Sequence, residues 1–127
     1  MRRIKITAGI ITCEGELADT ACGRAIWDSL PLSTEVHTWG DEIYFSIPVY
    51  QALDVTAREV VDRGDLGYWP EGNAFCIFFG PTPMSKGKEI RPASAVNIIG
   101  KIIGDPAVLG KVPSESKIIV EKNRKNA

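Results

Sequence analysis

The segment GNAFCIFFGPTP, residues 72–83, contains the feature that most limits the fold, because every side chain from Ala74 to Phe79 is apolar. A strand with one face in water alternates apolar and polar residues, so an unbroken run predicts a strand buried on both faces. Pro81 and Pro83 end it, since proline cannot continue a ladder of backbone hydrogen bonds. The run is far shorter than the ~20 apolar residues that span a bilayer. We therefore expect a core strand of a water-soluble protein, with no membrane partner.

Alternating patterns predict a hairpin in the segment from Ser33 to Ile47. In EIYFSIP, residues 42–48, the apolar side chains Ile43, Phe45 and Ile47 share one face, and Glu42, Tyr44 and Ser46 share the other. Before it, Glu35, His37 and Trp39 fall on one face of STEVHTW, and Gly40-Asp41 supplies the turn. The hairpin thus has one clearly apolar side.

The remaining elements are short. Arg3 to Leu17 predicts two antiparallel strands, ADTACGRAIWDSLPL predicts a helix capped by Asp19 or Thr20 and ended by Pro31, and DPAVLG predicts one helical turn. Further strands are predicted at four places, namely Ala57–Val61, Gly67–Trp69, Ala95–Ile103 and Lys117–Glu121. No helix separates strands after Leu32, which disfavours a parallel sheet and favours an antiparallel barrel or sandwich.

Composition excludes several classes of function. The 127 residues fit one domain over 1–127, and 15 basic against 16 acidic residues provide no general attraction for nucleic acid. The basic end, about 122–127, is expected to be a flexible tail. The sequence predicts no metal site, because its three cysteines lack CxxC spacing and it has a single histidine, His37. It contains no nucleotide-binding motif, so we expect no cofactor. The start of the chain lacks a secretory pattern, so we expect a cytoplasmic protein.

Three long motifs resemble those of the small prokaryotic cyclophilin-like proteins of uncharacterised function. They are WGDEIYFSIPV (39–49), GDLGYWPEGNAFCIFFGPTP (64–83) and VNIIGKI (96–102). The resemblance implies a mainly β fold, a cyclophilin-like closed antiparallel β-barrel of about eight strands with one α-helix and a short helical turn. It also implies a cleft, but a family without an assigned activity implies no reaction.

Ordinary cyclophilins are peptidyl-prolyl isomerases that use an arginine on one strand and a glutamine and a phenylalanine on another. Matching the motifs on Gly72 puts Ala74 and Cys76 at the latter two positions, and Val96 stands where the isomerases carry a pocket histidine. The strand STEVHTW has no arginine. The resemblance therefore implies a cyclophilin-type cleft without the usual isomerase side chains.

Candidate residues for a site follow from residue chemistry. His37, with Glu35 or Glu42 beside it, is a candidate general base if its strand face looks into the cleft, and a surface residue if it looks outward. Large amphipathic rings and isolated polar residues near the predicted core are candidates for ligand binding. These are Trp39, Tyr44, Tyr68, Trp69, Pro70, Thr82 and Asn97.

The function that these patterns favour is binding of a small molecule or a short peptide, including proline-containing ones, in an aromatic-lined cleft. One alternative is an enzyme, either a divergent prolyl isomerase or an amide-processing catalyst. Another is a partner-binding module that forms a homodimer through an apolar edge of the barrel.

Overall fold

A computed structural model describes residues 2–123. This part of the chain forms ten strands, a helix α1 at Ala21–Ser29 and two 3₁₀ helices at Pro70–Gly72 and Pro106–Lys111. The strands are β1 Arg2–Ala8, β2 Ile11–Leu17, β3 Leu32–Glu35, β4 His37–Thr38, β5 Glu42–Ser46, β6 Ala57–Arg58, β7 Asp65–Trp69, β8 Ala74–Phe78, β9 Val96–Ile103 and β10 Lys117–Lys122. Of the tail expected at 122–127, Lys122 ends β10 and residues 124–127 lie outside the described part.

The strands form one antiparallel sheet in the order β3-β10-β1-β2-β9-β7-β8-β5-β4, with β6 paired to β9. This confirms the mainly β, antiparallel class, but within residues 2–123 no ladder of hydrogen bonds closes the barrel. Its two end strands, β3 and β4, follow each other in the chain and are separated by Val36 alone. The Val36 N–H donates to Ser116 O at 2.9 Å, on the β10 side. The covalent chain through Val36 therefore connects the two edge strands, which are not hydrogen-bonded to each other in the described sheet.

The structure has ten strands where about eight are expected, in part because one predicted strand divides. The strand predicted from Ser33 divides at Val36 into β3, which pairs with β10, and β4, which pairs with β5. The strand predicted over Ala57–Val61 shortens to β6, two residues long, while the strand predicted over Gly67–Trp69 begins earlier, at Asp65.

The strand β8 is buried along its whole length, as its composition predicts. Phe75 and Ile77 belong to the core inside the barrel, and Phe75 stacks on Phe45 with ring centroids 5.1 Å apart. Ala74, Cys76 and Phe78 face outward into a second apolar cluster. Val61, Ile90 and Val96 supply the cover over this outer face. A two-sided core explains why no polar residue interrupts β8.

The helix α1 begins at Thr20, whose hydroxyl accepts a hydrogen bond from the Gly23 N–H at 3.0 Å. This contact satisfies one of the backbone donors that the first turn of a helix leaves free. Cys22 and Ile26 are buried against the inner core, which fixes the helix on β2 and β9. The helix therefore follows the cap and the spacing that the sequence predicts.

The strands β2 and β9 approach closely at Gly100, where a Cβ would overlap the carbonyl oxygen of Glu16. We expect Gly100→Ala to lower the free energy of unfolding by about 1–3 kcal/mol, because the backbone must move to admit the methyl group. Urea denaturation followed by far-UV circular dichroism measures the change. The control is Gly110→Ala, whose Cβ would lie 3.8 Å from Phe79, an ordinary contact. Equal stabilities of the two variants would show that the strands do not approach as closely as described.

Candidate functional site

A cavity of about 280 Å³ lies on the outer face of the sheet, where β5, β8 and β7 run side by side. We call it the Glu42 pocket. Its lining residues are Trp39, Glu42, Tyr44, Trp69 and Ala93. Three of them, Trp39, Tyr44 and Trp69, are ligand-binding candidates from the sequence, and Glu42 is a candidate acid–base residue. The structure therefore brings these four together, and their roles in binding or catalysis stay predictions.

The strand register explains why a concavity forms here. Tyr44 of β5 lies opposite Cys76 of β8, which in turn lies opposite Gly67 of β7. In the next row Ser46, Ala74 and Trp69 lie side by side. Large rings therefore stand at opposite corners, with small side chains between them. A sheet surface with this distribution of sizes has a hollow in its middle.

Trp69 is held in place by its neighbours. Its indole Nε1–H donates to Ser94 Oγ at 2.6 Å, and the Ser94 hydroxyl donates to a carboxylate oxygen of Glu71. A Cβ on Gly72 would lie 2.7 Å from the Trp69 ring, so the backbone of the 3₁₀ turn packs directly on the indole. Glycine at position 72 thus permits the close contact, and Trp69 forms a fixed wall of the pocket.

Trp39 and Tyr44 are positioned by the hairpin turn and its short strand. The Trp39 N–H donates to Glu42 O at 2.9 Å, and Gly40 between them adopts a φ of +61°. His37 pairs with Tyr44 across β4 and β5, with ring centroids 5.3 Å apart. His37 itself is exposed, so it supports the Tyr44 ring and does not line the pocket.

Glu42 is the polar residue at the base of the pocket. The residue is only 5% exposed, and its Oε1 has no hydrogen-bond partner among residues 2–123. Burial raises the pKa of the carboxyl group to about 7, and a hydrogen bond with Cys76 opposes this only in part. Burial also raises the pKa of the Cys76 thiol well above its usual range, so the thiol is not an activated nucleophile.

This arrangement has two chemical capacities. A carboxyl group with a pKa near 7 holds or releases a proton at neutral pH, which is the property required of a general acid or base. A carboxylate without a partner accepts a hydrogen bond or binds a positive charge. The aromatic side chains add apolar contact area around it.

Other candidates from the sequence lie outside the pocket. Glu35 is exposed, and Pro70 begins the 3₁₀ turn behind Trp69. Tyr68 is fully buried in the inner core, where its hydroxyl donates to Val49 O and accepts from the Gln51 N–H. The structure thus separates Tyr68 from its sequence neighbour Trp69, because successive side chains of a strand face opposite ways.

Thr82 and Asn97 use their polar groups within the protein. The Thr82 hydroxyl donates to Arg91 O and accepts from the Met84 N–H at 3.2 Å, which folds the loop after β8. Asn97 Oδ1 accepts from the Asp54 N–H at 2.8 Å, and its Nδ2 donates to Ala52 O at 2.9 Å. Both side chains therefore have backbone partners, and both fix loops.

Ala93 is a lining residue that the sequence does not indicate. It comes from the loop between β8 and β9, and a small apolar side chain in a polar loop has no distinguishing pattern. The sequence does carry a signal for Glu42, since the alternation in EIYFS puts it on the face of Tyr44. Its burial depends on strands and loops that are distant in sequence.

A second, larger cavity of about 560 Å³ lies near Asp41, Arg63 and Glu89. Three of its five charged lining residues form ion pairs: Asp62 contacts Arg58 at 3.6 Å, Arg63 contacts Asp105 at 3.5 Å, and Glu89 contacts Arg91 at 2.7 Å. Within residues 2–123, Glu42 Oε1 is the one buried side-chain oxygen or nitrogen atom without a partner. This favours the Glu42 pocket as the functional site.

No group of three or more His, Cys, Asp or Glu side chains within the described residues is arranged to hold a metal ion. No helix between residues 2 and 123 has the length and apolar character needed to cross a membrane.

Comparisons with known proteins agree with this fold. The model of the family described as Cyclophilin-like matches residues 2–121. The solution structure of a hypothetical protein from Archaeoglobus fulgidus superposes with a TM-score of 0.81 and 40% identity, covering 96% of this chain and 95% of that one. McbB in complex with tryptophan superposes with a TM-score of 0.72 over 98% of this chain and 46% of its own, but at 12% identity this likeness shows the fold alone. A search of curated proteins finds no match.

The buried Glu42 predicts how stability depends on pH. Between the ordinary pKa of 4.5 and about 7 the folded state holds a proton that the unfolded state has lost, so stability falls as pH rises through this window. From pH 4.5 to pH 8 we expect the free energy of unfolding to fall by about 3 kcal/mol more in the wild type than in Glu42→Gln. Urea denaturation at closely spaced pH values measures it.

The difference between the two pH curves isolates Glu42 from the other carboxyl groups. Glu115→Gln, at an exposed glutamate, is the matched control and should follow the wild-type curve. Parallel curves for the wild type and Glu42→Gln would contradict a buried carboxyl group at this position.

Proposed function

This chain belongs to the Cyclophilin-like family, and we propose that it binds a small organic ligand in the Glu42 pocket. One observation carries the proposal: the buried and unpartnered Glu42 Oε1 lies in a cavity with three large aromatic side chains. Family membership alone supports only the fold, because a fold can support many functions.

An unpartnered oxygen is costly to bury. Leaving a buried polar group without a hydrogen bond costs about 1–3 kcal/mol, and more when the group is charged. Protein folding by itself does not favour such a group, whereas a ligand that donates to it recovers the loss. The fixed Trp69 ring supports the same interpretation, since a wall that is already ordered loses little entropy when a ligand binds.

The size of the pocket limits the ligand. A volume of about 280 Å³ is near the lower end of the range of ligand sites, roughly 300–1,000 Å³. This suits a small molecule, or a single side chain of a peptide, including proline, better than a long extended segment. The ligand is therefore compact, with an apolar body and one polar group directed at Glu42.

A second candidate is an enzyme that uses Glu42 as its acid or base. The observation that favours it is the pKa of about 7, which lets the carboxyl group transfer protons at neutral pH. The nearest neighbouring thiol, Cys76, is buried and protonated and serves this reaction only as a hydrogen-bond partner. This candidate needs the same pocket and a substrate with a proton to give or take.

The binding proposal is tested by a fragment screen with ¹H–¹⁵N NMR, using a library of neutral, cationic and anionic compounds of up to about 15 non-hydrogen atoms. We expect hits to shift the signals of Trp39, Tyr44 and the Trp69 indole. Trp69→Leu should weaken those hits about tenfold or more, because it removes one wall. Tyr50→Ala, at an exposed ring outside the pocket, should leave them unchanged. Hits confined to other surfaces, or none at all, would contradict the proposal.

Prolyl isomerisation is one reaction that an enzyme of this fold could catalyse. We expect this chain to have no such activity. A protease-free assay on a proline-containing peptide should give the rate in buffer alone, because no arginine lies in the strand that resembles the arginine strand of the isomerases. A rate above buffer that Glu42→Gln abolishes would instead support an isomerase that uses Glu42. The His37→Ala variant separates this result from a role of the exposed histidine.

A further inference from the structure

We propose that the ligand of the Glu42 pocket carries a cationic alkylammonium group, held between the Glu42 carboxylate and the rings of Trp39, Tyr44 and Trp69. This inference deepens the proposed function and rests on it, because it names the ligand class of the same site. Three independent features support it: a missing counter-charge, the aromatic lining and the absence of further metal ligands.

The first feature is the missing counter-charge. No Lys, Arg or His side chain within residues 2–123 forms an ion pair with Glu42. The arginine in the loop that contributes Ala93 is Arg91, and it is paired with Glu89 at 2.7 Å. A carboxylate in an apolar pocket is costly without a positive partner. The protein does not supply one, so a ligand is the natural source.

The second feature is the aromatic lining. A cation over the face of a tryptophan or tyrosine ring is attracted by the ring's quadrupole, and several rings around one cation are a known arrangement for quaternary ammonium groups. The pocket contains two tryptophans and a tyrosine, and its apolar surroundings strengthen the attraction. Quaternary alkylammonium groups also lose less hydration on entering such a pocket than an ammonium group with N–H donors, because apolar methyl groups surround the nitrogen.

The third feature argues against other charged ligands. Metal ions such as Ca²⁺ need several oxygen ligands, and Glu42 is the only acidic side chain among the lining residues. An anionic ligand would meet the same carboxylate at close range and be repelled. A neutral ligand satisfies the oxygen but gains nothing from the rings beyond contact area. The alkylammonium class is the one that uses both parts of the pocket.

Several titratable groups surround Glu42, and binding of a cation in this pocket depends on pH. On β8 the neighbour is the protonated Cys76 thiol, and on β4 it is His37, which contacts Tyr44 from outside. Behind Trp69 lies Glu71, bonded to Ser94, and in the turn before β5 lies Asp41, whose side chain packs against Gly80. On β5 itself Tyr44 is the other titratable side chain. Of these, Glu42 is the carboxyl group that lines the pocket.

The experiment uses three probes of similar shape and different charge. They are choline, the neutral 3,3-dimethylbutan-1-ol and the anionic 3,3-dimethylbutanoate, each titrated into the protein at pH 8 and followed by NMR and calorimetry. We expect choline to bind about tenfold or more tightly than the alcohol, and the anion to bind most weakly. In Glu42→Gln the preference for choline over the alcohol should shrink to less than threefold.

The pH dependence adds a second readout. Choline keeps its charge at every pH, so its affinity should rise about tenfold from pH 6 to pH 8 as Glu42 loses its proton. The rise should be absent in Glu42→Gln and present in His37→Gln and Glu115→Gln. Calorimetry in two buffers of different ionisation enthalpy should show a proton released on binding below pH 8.

The outcomes separate this inference from the proposed function. Equal binding of choline and the alcohol, at the pocket signals, would overturn the cation and leave the binding site intact. Tighter binding of the anion would do the same. If Trp69→Leu and the wild type bind choline equally, the cation lies elsewhere and the inference fails. Absence of binding by all three probes, together with an empty fragment screen, would overturn both.

Discussion

Burial of β8 on both faces is the constraint on which the rest of the structure depends. Its inner residues, Phe75 and Ile77, complete the core of the barrel, while Ala74, Cys76 and Phe78 need a separate apolar cover. That cover is built from Val96 of β9 and from chain segments outside the barrel, including Val61 and Ile90, which form an isolated bridge. The loop between β8 and β9 is therefore held against the sheet by the hydrophobic effect. The Glu42 pocket lies beside this cover, on the same outer face.

Glu42 is costly for stability, and this cost is itself informative. A carboxyl group whose pKa is raised to about 7 by burial opposes folding at neutral pH, and a glutamine or an apolar residue there would relieve the charge. Functional sites commonly retain residues that are unfavourable for stability. The surrounding structure tolerates the cost because the antiparallel pairing of β5 with β8 fixes Glu42 opposite Phe78, deep in the outer face.

The sequence predicted what depends on local pattern and did not predict what depends on distant contacts. The alternation in EIYFS was sufficient to place Glu42 and Tyr44 on one face, and the apolar run was sufficient to identify β8 as a core strand. The position of Trp69 beside Tyr44 required the order β7-β8-β5, which no local pattern contains. Tyr68 and Asn97 looked equally suitable as ligand residues, but their polar groups bond to backbone atoms of residues 49–54, an arrangement that only the folded chain reveals.

The resemblance to prolyl isomerases concerns a strand, β8, that runs beside the Glu42 pocket. The resemblance implies that Ala74 and Cys76 stand at the positions of the isomerase glutamine and phenylalanine, and in this structure both face outward. Large side chains at these positions would fill the hollow between Tyr44 and Trp69, because Cys76 lies opposite Tyr44 and Ala74 lies opposite Trp69. Small residues leave that space open and let the Cys76 thiol contact the Glu42 carboxyl group. Small side chains at positions 74 and 76 therefore keep the outer face of β8 low between Tyr44 and Trp69.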